Sequence, residues 1–194
     1  MTGTCGKGKS SVARWCFRHR VELASLCGGV GFLFYLWMPE STLVLLARFT
    51  GVPAGPFVRG GYLLLALLNV LASAVRIWAG GTLGGARMMA LTTQTTALIT
   101  SGPYAHVRNP IYLADNLTLA GMGFVVPWPG TLLGWLLLPV IYGSVISHEE
   151  RQLGEVFKTA YTEYRLNVPK LGWRFSTWRG TGVPVRFRLA DGVV

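Results

Sequence analysis

Two short stretches of this sequence combine residue types that can do chemistry. Residues 101–112 hold a histidine, an arginine, an asparagine and two tyrosines between apolar runs, and His148-Glu149-Glu150 follows the last apolar run. Pro110 disfavours helix in the residue before it, so a helix is expected to begin near Ile111. Polar groups at the end of an apolar helix are costly to remove from water, so they usually belong to a functional site. The alternative is a membrane-surface loop with interfacial tyrosines.

The composition around these stretches is that of an integral membrane protein. The 194 residues are 51% hydrophobic and 13% charged, whereas a soluble domain carries about a quarter charged residues. The net charge is +10, with five cations before the first apolar run and eight after the last one. This placement follows the positive-inside rule. It predicts that the basic tails contact anionic membrane lipids and argues against nucleic acid as a partner.

Four apolar runs predict an all-α fold with about four transmembrane helices, at residues 21–38, 62–79, 111–126 and 131–147. The last two are joined by Pro127-Trp128-Pro129-Gly130 and should form a helical hairpin. An inside N-terminus then places the polar loops and both tails in the cytoplasm. Residues 41–49 are apolar but too short to cross, which favours an interfacial or re-entrant segment.

The same pattern divides the chain into four parts. We expect a basic cytoplasmic tail at 1–20, membrane spans at 21–79, a functional core at 80–175 and a second basic tail at 176–194. Within the core, a thirty-residue polar connection opens at Gly80, and residues 155–164 are predicted to form an amphipathic surface helix.

Some polar residues lie inside the apolar runs. Asn69, Ser73 and Arg76 share one helix face, which favours a hydrogen-bonding seam between helices, with Arg76 reaching toward the headgroups, over ligand contact. Asp115 is a functional candidate as an intramembrane carboxylate. It is nearly as well explained as an acid in the first turn of a helix.

Other motifs carry no chemistry. Gly3-x-x-x-x-Gly8-Lys9-Ser10 matches a P-loop but has no strand before it, so a flexible basic tail is expected instead. Gly28, Gly29 and Gly31 favour close helix packing. Cys5, Cys16 and Cys27 have the spacing of neither a metal site nor a disulfide framework, so no metal is expected.

Taken together, the two chemical stretches resemble a known family. Leu98-Ile99-Thr100-Ser101-Gly102-Pro103-Tyr104-x-x-x-Arg108-Asn109-Pro110-Ile111-Tyr112 precedes the hairpin, and Glu149-Glu150-x-x-Leu153-x-x-x-Phe157-x-x-x-Tyr161 follows it. This arrangement is similar to the integral membrane methyltransferases, which comprise isoprenylcysteine carboxyl methyltransferases and phospholipid N-methyltransferases. The likeness covers roughly residues 75–170.

The resemblance implies that S-adenosyl-L-methionine binds in cytoplasmic loops and that a lipid or lipidated acceptor enters from the bilayer. The residues that it places around the cofactor are Thr96, Ala97, Leu98, Ile99, Tyr104, Asn109, Pro110, Ile111, Tyr112 and Glu149. The residues expected to take part in the reaction are His148, Glu149 and Arg108. These types suit a cationic sulfonium with a zwitterionic tail. His148 or Glu149 could take a proton from an ammonium acceptor, with His106 and Asp115 as weaker candidates.

Two departures from the family bear on the acceptor. The carboxyl methyltransferases have histidine at the position of Asn109 and an acceptor-binding arginine where this chain has Val145. We therefore predict a lipid amine, or another neutral-to-cationic lipid nucleophile, rather than a prenylcysteine carboxylate.

Two other functions remain open from the sequence. One is an NADPH-dependent reductase of sterol-like lipids, although those proteins are much longer. The other is a non-catalytic membrane scaffold or small transporter that uses Asn69, Arg76 and Asp115.

Overall fold

The computed structural model describes residues 15–84, 97–180 and 187, and this part of the chain is mostly helical. Its helices are α1 (Arg20–Leu33), α2 (Thr42–Thr50), α3 (Ala54–Leu83), α4 (Pro110–Gly123) and α5 (Trp128–Asn167). Short 3-10 turns lie at Phe34–Leu36 and Gly102–Ala105. Each of the four predicted apolar runs falls largely within a helix, so the all-α expectation is confirmed for the described residues.

Within the described residues, two helices are long and apolar enough to cross a membrane, namely α3 and α5. At about 1.5 Å per residue, the 40 residues of α5 would extend about 60 Å if the helix were straight, twice the thickness of the hydrocarbon layer. Its first charged side chains are Glu149 and Glu150. Residues 128–147 are therefore the half that is apolar enough to cross a membrane, here called the membrane-spanning half, and residues 148–167 are called the aqueous half. The nine residues of α2 extend only about 13 Å, too little to cross.

Local signals set most of the helix ends. Ser41 caps α2 by accepting a hydrogen bond from the Val44 amide, and Gly51 ends α2 in the left-handed conformation at φ 68°. The expected end of the next helix at residue 79 is wrong. The helix continues through Gly80 and Gly81, both buried, because their lack of side chains lets α3 pack closely.

The helices pack as two layers around the hairpin of α4 and α5. Its joint is tight, as predicted, and α3 packs mainly on α4 while α1 packs on α5. The α1–α5 contact is close at Gly31, where a Cβ on Gly130 would lie 2.7 Å from the Gly31 Cα. A Cβ on Gly28 or Gly29 would meet nothing within 4 Å, so close packing explains Gly31 but not the other two.

The interhelical seam between α3 and α4 is an ion pair. Arg76 bonds the carboxylate of Asp115. The expected polar seam between helices is therefore confirmed for Arg76, while its reach toward the headgroups stays a prediction. Asn69 bonds its own helix at the Leu65 carbonyl.

The end of the expected basic tail is part of the folded core. Residues 15–18 are helical, and the side chains of Cys16 and Phe17 are buried against Tyr112 and Val145. A flexible tail is therefore the wrong description for residues 15–20, since apolar contacts hold them. The P-loop-like match and Cys5 lie outside the described residues.

Helix α5 folds back on itself at Lys158, which has φ 44° and ψ −112°. The guanidinium of Arg108 bonds both the Glu150 carboxylate and the Arg165 carbonyl. A straight helix would separate those two positions by about 22 Å. The last nine residues of α5, 159–167, therefore return toward Glu150. The expected surface helix at 155–164 spans the bend instead of forming a separate element.

Residues 168–178, here called the C-terminal strap, then run across the loop before α4. The Arg108 amide bonds the Pro169 carbonyl at 2.9 Å, the Arg174 amide bonds the His106 carbonyl at 3.0 Å, and the Trp178 amide bonds the Ala105 carbonyl at 3.2 Å. The strap thus covers the region that the sequence singled out.

Candidate functional site

The site is built where the start of α4 meets the aqueous half of α5. Pro110 occupies the first turn of α4, where its missing N–H is not needed. Two residues later, the Tyr112 hydroxyl donates to the Glu149 Oε1 atom at 2.9 Å. The tyrosine is 8% exposed, so this bond joins the two arms of the hairpin in a largely dry environment.

Glu149 is poised to change charge near neutral pH. Burial raises the pKa of its carboxyl to about 7, against the lowering effects of the Tyr112 hydrogen bond and the Arg20 charge, and Glu150 raises it further. Burial and the charge of Glu149 also raise the pKa of Tyr104. A carboxylate that costs this much to ionise gains from a bound cation.

Glu150 has a different environment from its neighbour. Its Oε1 atom accepts from Arg108 Nε at 3.0 Å and from Asn109 Nδ2 at 3.2 Å. The side chains of Arg108 and Glu150 are only 9% and 13% exposed. Arg108 also donates to the Arg165 carbonyl at 2.6 Å, so its guanidinium is committed to holding the loop, α5 and the fold-back together. Its catalytic role stays a prediction.

Replacing Arg108 with alanine is expected to lower the free energy of unfolding by about 3–5 kcal/mol, because it leaves the buried Glu150 carboxylate without its partner. Arg48→Ala is the matched control. Its pair with Glu40 joins side chains that are 65% and 34% exposed, so its loss should cost at most about 1 kcal/mol. Denaturant unfolding in detergent measures both. Equal losses would show that the Arg108 pair is not structural.

The structure describes three of the four residues, 96–99, that are expected to line the adenosine of the cofactor. Thr96 lies outside the described residues. Leu98 is buried in a cluster with Tyr161 and Tyr164 of α5 and with Val168 and Trp178 of the strap. Ile99 packs with Tyr104, whose carbonyl accepts from the Tyr164 hydroxyl at 2.7 Å. Ala97 lies beside Leu98, and Asn109 and Ile111 flank Pro110. All the described cofactor candidates therefore lie on the loop before α4, the start of α4, or the facing side of α5.

The three candidate proton acceptors have different contacts in the structure. His148 lies beside Phe17, with ring centroids 5.9 Å apart, and its Nε2 atom is 3.2 Å from Gln152 Nε2. His106 is held by the strap, stacked on Trp173 at 5.1 Å with its Nδ1 atom 2.8 Å from the Arg174 carbonyl. Asp115 is paired with Arg76. His148 thus lies next to Glu149 on α5, whereas the ring of His106 contacts the strap.

Sequence reasoning missed Arg20, Phe17 and the strap as parts of the site, because nothing in their spacing signals that they pack there. It also gave no role to Tyr161. The hydroxyl of Tyr161 is buried and has no hydrogen-bond partner among the described residues. A buried, unsatisfied hydroxyl beside Leu98 is an additional candidate for contact with a ligand.

Comparison with known proteins decides the family. The model of the phospholipid methyltransferase family matches residues 59–160, which include Tyr112, Glu149 and both arms of the hairpin. The chain belongs to this family. The resemblance seen in the motifs is confirmed, and membership of the phospholipid methyltransferase family favours methyl transfer over the reductase and scaffold alternatives.

Two curated relatives are named for metal resistance. The cobalt-zinc-cadmium resistance protein CzcN of Cupriavidus metallidurans is 30% identical over 149 residues, covering 75% of this chain and 65% of that protein. The nickel-cobalt-cadmium resistance protein NccN of Alcaligenes xylosoxydans xylosoxydans is 26% identical over 149 residues, covering 74% of this chain and 66% of that protein. This chain therefore spans slightly less than two thirds of both relatives. No solved structure matches it.

Proposed function

We propose that this member of the phospholipid methyltransferase family transfers a methyl group from S-adenosyl-L-methionine to a membrane-embedded lipid or lipidated acceptor at the cytoplasmic face. The observation that carries the proposal is the bond between Tyr112 and Glu149 at the open end of the hairpin. In this proposal the ionisable carboxylate lies between the membrane-spanning half of α5 and the aqueous loops. A cationic cofactor from water and an acceptor from lipid can meet there.

The residues present fit this cofactor. When bound, it supplies an electrophilic methyl group on a positively charged sulfur. Ionised Glu149 can hold the cofactor's ammonium group, and the ring faces of Tyr104 and Tyr112 suit a sulfonium. The backbone of residues 96–99 would line the adenosine, with the unpaired hydroxyl of Tyr161 nearby. Burial of these groups keeps water from competing with the acceptor.

In this proposal the acceptor's chain lies between the hairpin arms. A cavity of about 340 Å³ separates α4 and α5 and is lined by Asn116, Leu119, Ala120, Gly134, Trp135, Leu138 and Pro139. Its polar member, Asn116, is one helical turn from Tyr112, to whose carbonyl it donates. An alkyl chain in this cavity would direct its head group toward Tyr112 and Glu149. The apolar lining suits hydrocarbon.

We assign the base to His148, because Glu149 is then occupied by the cofactor. An ammonium acceptor must lose a proton before its nitrogen can attack the methyl carbon and release the neutral thioether. Val145 is fully buried in the cluster with Phe17 and Tyr112. A carboxylate acceptor would find no cation at the position of Val145, and the nearby Arg20 guanidinium is held by the Phe17 carbonyl and ring. Without a cationic partner the carboxylate would carry a desolvation cost of several kcal/mol.

The test is a methylation assay of the purified chain with labelled cofactor and two acceptors in parallel, an aminolipid and a prenylcysteine. We expect label in the aminolipid and a loss of about 100-fold or more in that rate for His148→Ala. Cofactor binding should be unchanged in this variant. Methylation of the prenylcysteine alone would overturn the acceptor assignment, and transfer to neither would count against the enzyme.

A further inference from the structure

The end of α5 and the strap carry a surface that the methyl-transfer proposal does not use. Leu166 and Phe175 are 83% and 92% exposed, among the most exposed large apolar side chains of the described residues. The chain segments that carry them meet, since the Arg174 guanidinium bonds the Asn167 carbonyl at 2.5 Å. An exposed apolar pair at an ordered position indicates a contact surface.

The stretch of chain that carries this pair has only positive charges, and the nearest acidic residue before it is Glu163. Residues 165–179 contain Arg165, Lys170, Arg174 and Arg179 and no acidic residue. The ion pairs found in the described residues involve none of these four cations. The surface formed by Leu166, Phe175 and these cations, here called the cationic patch, therefore complements an anionic partner with an apolar interior.

The fold-back of α5 brings the cationic patch to the level of the membrane boundary. The Lys170 Nζ atom lies 3.4 Å from Ser147 Oγ, and Ser147 is the last residue of the membrane-spanning half of α5. Leu171 packs against the buried cluster that contains Tyr142 and Ile146, two residues of that same half. Lipid headgroups are the environment expected at this level.

We propose that the cationic patch docks on the anionic lipid headgroups of the bilayer and thereby holds the strap closed over the loop at residues 105–109. Phe175 and Leu166 insert at the interface, and the four cations bind lipid phosphates. The bilayer surface then stabilises the hydrogen bonds that the strap makes to the His106 and Ala105 carbonyls. The strap therefore stays closed over the loop when anionic lipid is bound.

Hydrogen exchange tests this without cofactor, so its outcome is independent of the methyl-transfer proposal. The full chain is placed in nanodiscs of phosphatidylcholine, alone or mixed with phosphatidylglycerol. The amides of Arg174 and Trp178 report opening, because both are bonded to the loop. We expect their exchange to be about tenfold slower in the anionic discs, and the difference to shrink at high salt.

Phe175→Ser should remove most of this protection. Phe49→Ser is the matched control, because Phe49 is 79% exposed and, like Phe175, follows an arginine. Phe49 lies on α2, which bonds the hairpin joint at Val126, away from Ser147. Equal exchange in both kinds of disc would overturn the proposal. If polyglutamate added to neutral discs protected the two amides equally well, the partner of the cationic patch would be an acidic protein instead of a lipid surface.

Discussion

The Glu149→Gln variant is expected to lose S-adenosylhomocysteine binding while it keeps its fold. Glutamine is nearly isosteric and can still accept the Tyr112 hydrogen bond, but it has no charge for the cofactor's ammonium group. Loss of a buried, charged hydrogen bond costs about 2–5 kcal/mol, which is at least about tenfold in affinity. Isothermal titration calorimetry of the purified chain measures this directly.

Glu155→Gln is the control on the same helix. Glu155 is exposed and beyond the hairpin contact, so its loss should leave the affinity within error. Tyr112→Phe should give an intermediate loss, since the charge remains but its orientation is no longer fixed by the 2.9 Å bond. Unchanged binding by Glu149→Gln would remove Glu149 from the cofactor site.

The same carboxyl predicts opposite pH dependences for stability and for binding. Its pKa is about 7 in the folded protein and 4.5 in the unfolded chain. Between these values the folded state holds a proton that the unfolded state has released, so stability falls as pH rises through this window. The contribution of Glu149 to the free energy of unfolding that is lost is about 3 kcal/mol, from the difference of about 2.5 in pKa. Cofactor binding needs the ionised form, so affinity should rise with pH through about 7.

Comparison with Glu149→Gln isolates these effects from other groups. Unfolding without cofactor and titration with S-adenosylhomocysteine are each measured at several pH values for both proteins. The native chain should lose stability relative to the variant between pH 5 and 8 while it gains affinity. Parallel curves for the two proteins would show that Glu149 does not titrate in this range.

The sequence predicted the parts of the fold that depend on local signals. The proline-rich joint set the hairpin, the apolar runs set the helices, and Pro110 set the start of α4. The hairpin also indicated that the two polar stretches meet at its open end, and the bond between Tyr112 and Glu149 agrees with this. The individual roles of these two residues came from the family resemblance and not from the pattern of residue types.

The remaining features depend on contacts distant in sequence. Nothing about Lys158 signals a bend, because a lysine at positive φ is held there by surrounding structure rather than by its own preference. Arg108 looked available for a ligand until Glu150 and the Arg165 carbonyl were placed beside it. The burial of Cys16 and Phe17 likewise depends on the hairpin surface that they cover.

The ion pair between Arg76 and Asp115 also bears on how the chain enters the bilayer. The two residues are 39 positions apart, so at about 5–20 residues per second the ribosome makes Asp115 some 2–8 s after Arg76. An arginine alone at the centre of a membrane helix costs about 2.5–3.5 kcal/mol on insertion. In the proposed topology, α3 is therefore expected to wait at the translocon until α4 arrives, and the two helices then partition into lipid as a neutral pair.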